Sequence, residues 1–330
     1  MTDRVEAPAA PIARTRARRG PLLVYVAAAA LLLLAVILAA ARVGERAGRL
    51  SDWQAFALGV TQGLTELLPI SSSGHLILVP WIADWHYLEA HKDFNKTFDV
   101  ALHLGTLVAV VLYFWGDVVR YVGAWFSSVG KRAITNVDER LSWIIFAATI
   151  PAAIAGAAGE EPIENHLGQP WQIAIFLAVF GILLWLADRR PQRRRIDQLP
   201  FGTGFAVGIS QILALMPGVS RSGISITTGR LAGLTRDAAA RFSFLLLIPI
   251  VAGAVIYKGL KHVVLHSLPA GSTGPFVVGT IAAAAVGLIA IDLLLGYVRR
   301  HDYSPFVVYR LVLALAIVIV IATGARHATF

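Results

Sequence analysis

The chain has 330 residues, 57% of them hydrophobic and 15% charged, with a formal charge of +9 and no cysteine. That composition is too apolar for an ordinary soluble domain, and the missing thiols exclude disulfides, thiol catalysis and thiolate metal sites. The arginines gather at the ends of apolar runs, so the positive balance reads as a membrane-orientation signal and not as a nucleic-acid footprint.

Residues 1–20 are polar and basic, with Arg14, Arg16, Arg18 and Arg19, and an apolar run follows from about Leu22 to Ala41. The length of that run favours a retained transmembrane helix; its Ala-rich end leaves signal cleavage open. Segment 53–82 is apolar but carries Gln62, Glu66, Pro69, three serines and His75 in its middle. Plain spans are predicted at about 98–117, 141–158, 171–187, 241–258, 275–297 and 305–323. A second interrupted segment covers about 200–234, centred on Pro217, Gly218, Ser220, Arg221 and Ser222.

Lys and Arg fix the expected orientation. The loop from Asp188 to Arg195 holds five arginines and is predicted inside, as are the N-terminal tail, the stretch 120–140 and Arg299–Arg300. The stretch 159–170 holds Glu160, Glu161 and Glu164 without Lys or Arg and is predicted outside. With these sides assigned, segment 53–82 must enter from outside and return there, and segment 200–234 must enter from inside and return inside. The expected fold is all-α and polytopic: six spanning helices, two re-entrant hairpins in an inverted repeat, and one extra N-terminal helix. The repeat has a sequence trace. Gly59-Val60-Thr61-Gln62 matches Gly208-Ile209-Ser210-Gln211, and each Gln is followed twelve residues later by Gly74 or Gly223. Paired interrupted segments of this kind place a site near the midplane.

The chemistry sits in those interruptions. Gln62 and Glu66 are four apart and share a helix face. An intramembrane acid is costly unless it faces a cavity, metal or partner; a structural hydrogen bond between helices is the plainer alternative. Ser72 and His75 are three apart, which sets a hydroxyl near a base, as an activated nucleophile requires, although serines in such loops also serve as turns and caps. Arg221 lies among Gly218, Ser220, Ser222 and Gly223, where small residues let backbone N–H groups and a guanidinium fork meet an anion. Snorkelling of Arg221 to the surface is the alternative, and its mid-segment position argues against it. Asp99, His103 and Asp292 rank below these residues.

The stretch from Gln62 to His75, reading QGLTELLPISSSGH, resembles the first signature of the bacterial undecaprenyl-diphosphatase, or bacitracin-resistance, family, and Pro217–Gly223 resembles its second. Phe242–Leu246 and Pro305–Arg310 match as well, so the resemblance covers about residues 51–325. It implies hydrolysis of undecaprenyl diphosphate to the monophosphate carrier and free phosphate, in the bacterial inner membrane, with a site facing the periplasm. It implies a divalent cation, magnesium or calcium, with Glu66 and the neutral Gln62 as its ligands. It implies Ser72 as nucleophile, His75 as base or acid, Glu66 as the essential acid and Arg221 as phosphate clamp. Ser71, Ser73, Ser220, Ser222, Gly218 and Gly223 would line the substrate loops. The expected division is an extension at 1–50 and a membrane domain at 51–330. The expected partners are the lipid and the bilayer, a homo-oligomer being left open, and no nucleic acid. A transporter remains the rival class, since inverted repeats with broken helices are transporter architecture. A lipid phosphatase of the Ser-Gly-His type is excluded, because Ser220-Arg221 lacks the His and Asp that such a motif needs downstream.

Overall fold

The structure is a computed structural model that describes residues 49–259 and 272–329; the predicted helix at 22–41 lies outside them. Every described element is helical and no strand occurs among the described residues. Helices α1 (Asp52–Leu67), α2 (Ser72–Ala83), α3 (Tyr87–Ala90), α4 (Lys92–Tyr113), α5 (Trp115–Lys131), α6 (Val137–His166) and α7 (Pro170–Asp188) form the first part. Helices α8 (Phe201–Ser210), α9 (Arg221–Leu231), α10 (Arg236–Gly259), α11 (Thr273–Val298) and α12 (Ser304–Ala322) form the second. Helices α4, α6, α7, α10, α11 and α12 each contain an apolar stretch long enough to cross a bilayer. They stand where the six plain spans were predicted, and the chain is a multi-pass membrane protein.

The two interrupted segments each become a helix, a break and a second helix. Both breaks have the same local cause. Leu68 and Met216 each precede a proline, which disfavours helical backbone at the preceding residue, and both are extended, with ψ of 145° and 120°. Each break ends on a serine at positive φ, Ser71 at 78° and Ser220 at 76°, an uncommon conformation for a residue with a side chain. Each of these serines caps the next helix by accepting from a glycine N–H, that of Gly74 at 3.4 Å or Gly223 at 3.0 Å. At about 1.5 Å per residue, none of α1, α2, α8 and α9 reaches the ~30 Å of a hydrocarbon core.

The repeated glycines have a packing role. A Cβ on Gly59 would lie 2.4 Å from the Gly279 carbonyl oxygen in α11, and one on Gly208 would lie 2.2 Å from that of Ala148 in α6. Each interrupted segment thus presses its backbone onto a long helix, the close approach that small residues allow between membrane helices. At the basic end of the bundle, Asp188 of α7 accepts from Nε of Arg230 at 3.0 Å, from Nε of Arg236 at 2.8 Å and from the Tyr303 N–H at 3.0 Å. That network ties α9, α10 and the start of α12 to α7.

Two expectations are corrected. Residues 120–131, expected within the basic stretch 120–140, belong to the helix α5, which starts at Trp115, inside the span expected to run to 117. Its Trp115, Val119, Val122, Phe126 and Val129 recur at helical spacing and are all exposed. Asp117, Arg120 and Lys131 lie on the other side, which is the pattern of a helix lying in a membrane interface. The expected loop 159–170 is helical as far as His166.

Candidate active site

The two breaks meet. The Gly218 N–H donates to the Ser71 hydroxyl at 3.0 Å, and the Ser222 hydroxyl donates to the Leu68 carbonyl at 3.0 Å. Gly218 has φ of 104°, which glycine adopts freely, and a Cβ there would lie 2.9 Å from the Ile173 carbonyl oxygen. Arg310 of α12 is fully buried between the breaks. It donates to the carbonyl oxygens of Pro69 at 3.2 Å, Gly218 at 2.9 Å and Val219 at 3.1 Å, and to those of Phe176 and Leu177 in α7. A buried guanidinium is tolerated because its fork of donors is filled by carbonyls, three from the breaks at Pro69, Gly218 and Val219 and two from α7. One side chain thereby holds both breaks against α7.

Above this scaffold lies Glu66, 5% exposed, at the end of α1. Its Oε1 accepts from Arg221 Nε at 3.2 Å and Nη2 at 3.1 Å; Arg221 Nη1 donates to the Ser243 carbonyl at 3.1 Å. Its Oε2 accepts from the Ser72 hydroxyl at 2.5 Å and from Gln62 Nε2 at 3.4 Å. His103 Nε2 stands 3.7 Å from the same oxygen. A hydroxyl across the first break and a guanidinium from the second segment therefore converge on one carboxylate, that of Glu66.

His75 is placed differently from the pairing its spacing implied. Its Nδ1 faces the Ser71 carbonyl oxygen at 2.7 Å, so that nitrogen carries the proton. Its Nε2 then accepts from the Tyr309 hydroxyl at 2.7 Å. The imidazole and the phenol stack with 5.7 Å between centroids. No hydrogen bond joins Ser72 to His75; the hydroxyl's partner is Glu66. Ser220 and Ser222 lie 3.2 Å apart through their hydroxyls, and Ser73 is half-buried with no side-chain hydrogen bond among the described residues. Four residues near the site were missed or ranked low from sequence: Tyr309, Arg310, Ser243 and His103. Arg310 sits within a plain span, and an intramembrane Arg is a flag of the same kind as Glu66.

The donor set fits a divalent cation. No group of three or more His, Asp or Glu residues gathers to hold an ion by itself among the described residues. The Gln62 Oε1, however, is buried without a partner one helical turn from the Glu66 carboxylate. One anionic and one neutral oxygen on one face leave most ligand positions to phosphates and water, as magnesium commonly prefers. Two open cavities, of about 450 and 600 Å3, lie near the arginine-rich ends and include none of these residues.

A family model described as bacitracin resistance protein BacA matches residues 55–316, which include both breaks and every residue of the candidate site. The undecaprenyl-diphosphatase of Moorella thermoacetica is 47% identical over 268 residues, 81% of this chain and 97% of that protein. That of Geobacter metallireducens is 45% identical over 269 residues, 81% and 97% of the two chains. That of Desulforudis audaxviator is 43% identical over 272 residues, 82% and 98% of the two chains.

Proposed function

The chain belongs to the bacitracin resistance protein BacA family, and from that membership we propose how its paired breaks perform the reaction. The protein hydrolyses undecaprenyl diphosphate to undecaprenyl phosphate and inorganic phosphate, recycling the carrier lipid. The Ser72 hydroxyl gives its proton to Glu66 and attacks the terminal phosphorus, while the anhydride P–O bond breaks and the lipid monophosphate leaves. Water then cleaves the phosphoserine and releases phosphate. The observation that carries this reading is the 2.5 Å bond between Ser72 and a carboxylate whose other oxygen holds Arg221. In the free site that carboxylate occupies the Arg221 fork; the incoming phosphate takes over those donors. Glu66 and Gln62 would hold a divalent cation, which supplies charge neutralisation at the diphosphate. His75, fixed in one tautomer by Ser71 and Tyr309, orients the start of α2 and with it Ser72.

In the bilayer, α1–α2 and α8–α9 are two re-entrant hairpins of opposite orientation, each too short to span. The basic ends face the cytoplasm and the site faces the periplasm of the bacterial inner membrane. Residues 1–50 are an extension, and 51–330 carry the whole site. Purified residues 51–330 should release phosphate from undecaprenyl diphosphate at a rate within a few-fold of the full chain, and a chelator should lower both. A folded but inactive truncation would place part of the site in the extension. Absence of phosphate release from both forms would leave a lipid transporter as the better account.

A further inference from the structure

The cavity of about 600 Å3 lies between α5, the loop before α8, α10 and the end of α11. Four arginines line it, Arg120, Arg195, Arg241 and Arg299, each from a different one of these elements. They face two aspartates, Asp117 and Asp237, an excess of two positive charges. Arg120 also reaches Asp138 at 3.8 Å and Arg195 reaches Asp197 at 3.7 Å, but these pairs are exposed at the rim, where solvent weakens them.

Asp237 is shared. Its Oδ2 accepts from Arg241 Nε and its Oδ1 from Arg299 Nε, both at 2.9 Å. Among the described residues neither guanidinium uses its Nη atoms in a hydrogen bond, so two forks behind one carboxylate keep their outer donors free. Besides the polar Tyr121, Gln192 and Thr235, the lining has apolar walls that include Phe114, Leu245 and Val298. A free anion gains nothing from those walls, whereas the first carbons of a lipid do.

The level of the cavity also matters. The exposed stripe of α5, with Trp115 60% and Phe126 65% exposed, has the pattern of a helix that beds in a membrane interface. The arginine cluster beside α5 then stands at the depth of phosphates in the adjoining leaflet, where basic pockets meet anionic headgroups. We infer that this cavity binds the phosphate headgroup of an anionic phospholipid, with Arg241 and Arg299 as its principal donors. The inference concerns a different part of the molecule from Glu66 and Arg221 and stands whatever reaction they perform.

Retention of phosphatidylglycerol and phosphatidylcholine by the full chain, purified in mild detergent, tests it by native mass spectrometry. The wild type should retain phosphatidylglycerol at least fivefold over phosphatidylcholine. R241Q/R299Q should lose that preference while keeping phosphate release from undecaprenyl diphosphate within twofold, which shows that it folds. If it does not fold, R241K/R299K keeps the charge opposite Asp237, loses the forks, and should lower the preference at least twofold. Equal retention of the two lipids by the wild type, or an unchanged preference in the folded variant, would overturn the inference. So would inorganic phosphate at millimolar concentration displacing phosphatidylglycerol, since that would mark a site for a free anion.

Discussion

Glu66→Gln is expected to lower phosphate release by at least ~100-fold, the scale on which one strong electrostatic group acts in an active site. The substitution keeps the shape and one oxygen acceptor. It removes the base that receives the Ser72 proton, the anionic ligand for a cation and the counter-charge of Arg221. Gln62 cannot replace it, being neutral already. The fold should persist, because α1 is held by its glycine contacts with α11 and by Arg310 at the break. Raising magnesium should restore activity only in part, since added metal does not return the proton acceptor. Phosphate release across a magnesium titration checks this. Activity within a few-fold of wild type at low magnesium would make Glu66 a packing residue.

Arg221→Lys should be damaging although the charge is kept, with a loss on the order of 100-fold. Arg221 grips through Nε and Nη2 on one side and Nη1 on the other, to Glu66 and to the Ser243 carbonyl. Lysine offers one compact ammonium and cannot hold two directions at once. The loss should fall on turnover as well as on substrate affinity, because a fork that follows the terminal phosphate gains strength as charge develops there. Wild-type turnover with only a raised KM would assign Arg221 to ground-state binding.

Much of this architecture is legible in the chain because the signals are strong. Six apolar runs stand out from their basic borders, and Pro69 and Pro217 mark both breaks. The Gly59 and Gly208 repeat is legible as sequence, and its reason appears only when each backbone is seen against α11 or α6. Helix α5 escapes notice because Arg120, Lys131 and three glycines dilute its hydropathy, although the spacing of its apolar residues is helical throughout. Within the site, proximity in sequence misleads. Ser72 and His75 share a helix, yet the break folds Glu66 back to within 2.5 Å of the hydroxyl while the imidazole turns to Ser71 and Tyr309. Tyr309 and Arg310 come from a span more than 230 residues away in sequence, and no local pattern predicts that contact.

The most direct test of one shared site is a double-variant cycle across the two breaks. Phosphate release from undecaprenyl diphosphate is measured for the wild type, E66Q, R221K and E66Q/R221K, each checked for folding. If Glu66 and Arg221 serve one phosphate, the double variant should be little worse than the poorer single variant, because each single change already disables the pair. Losses that multiply, to about 10,000-fold for two changes of ~100-fold each, would show the residues acting independently and would contradict a single site built from both breaks.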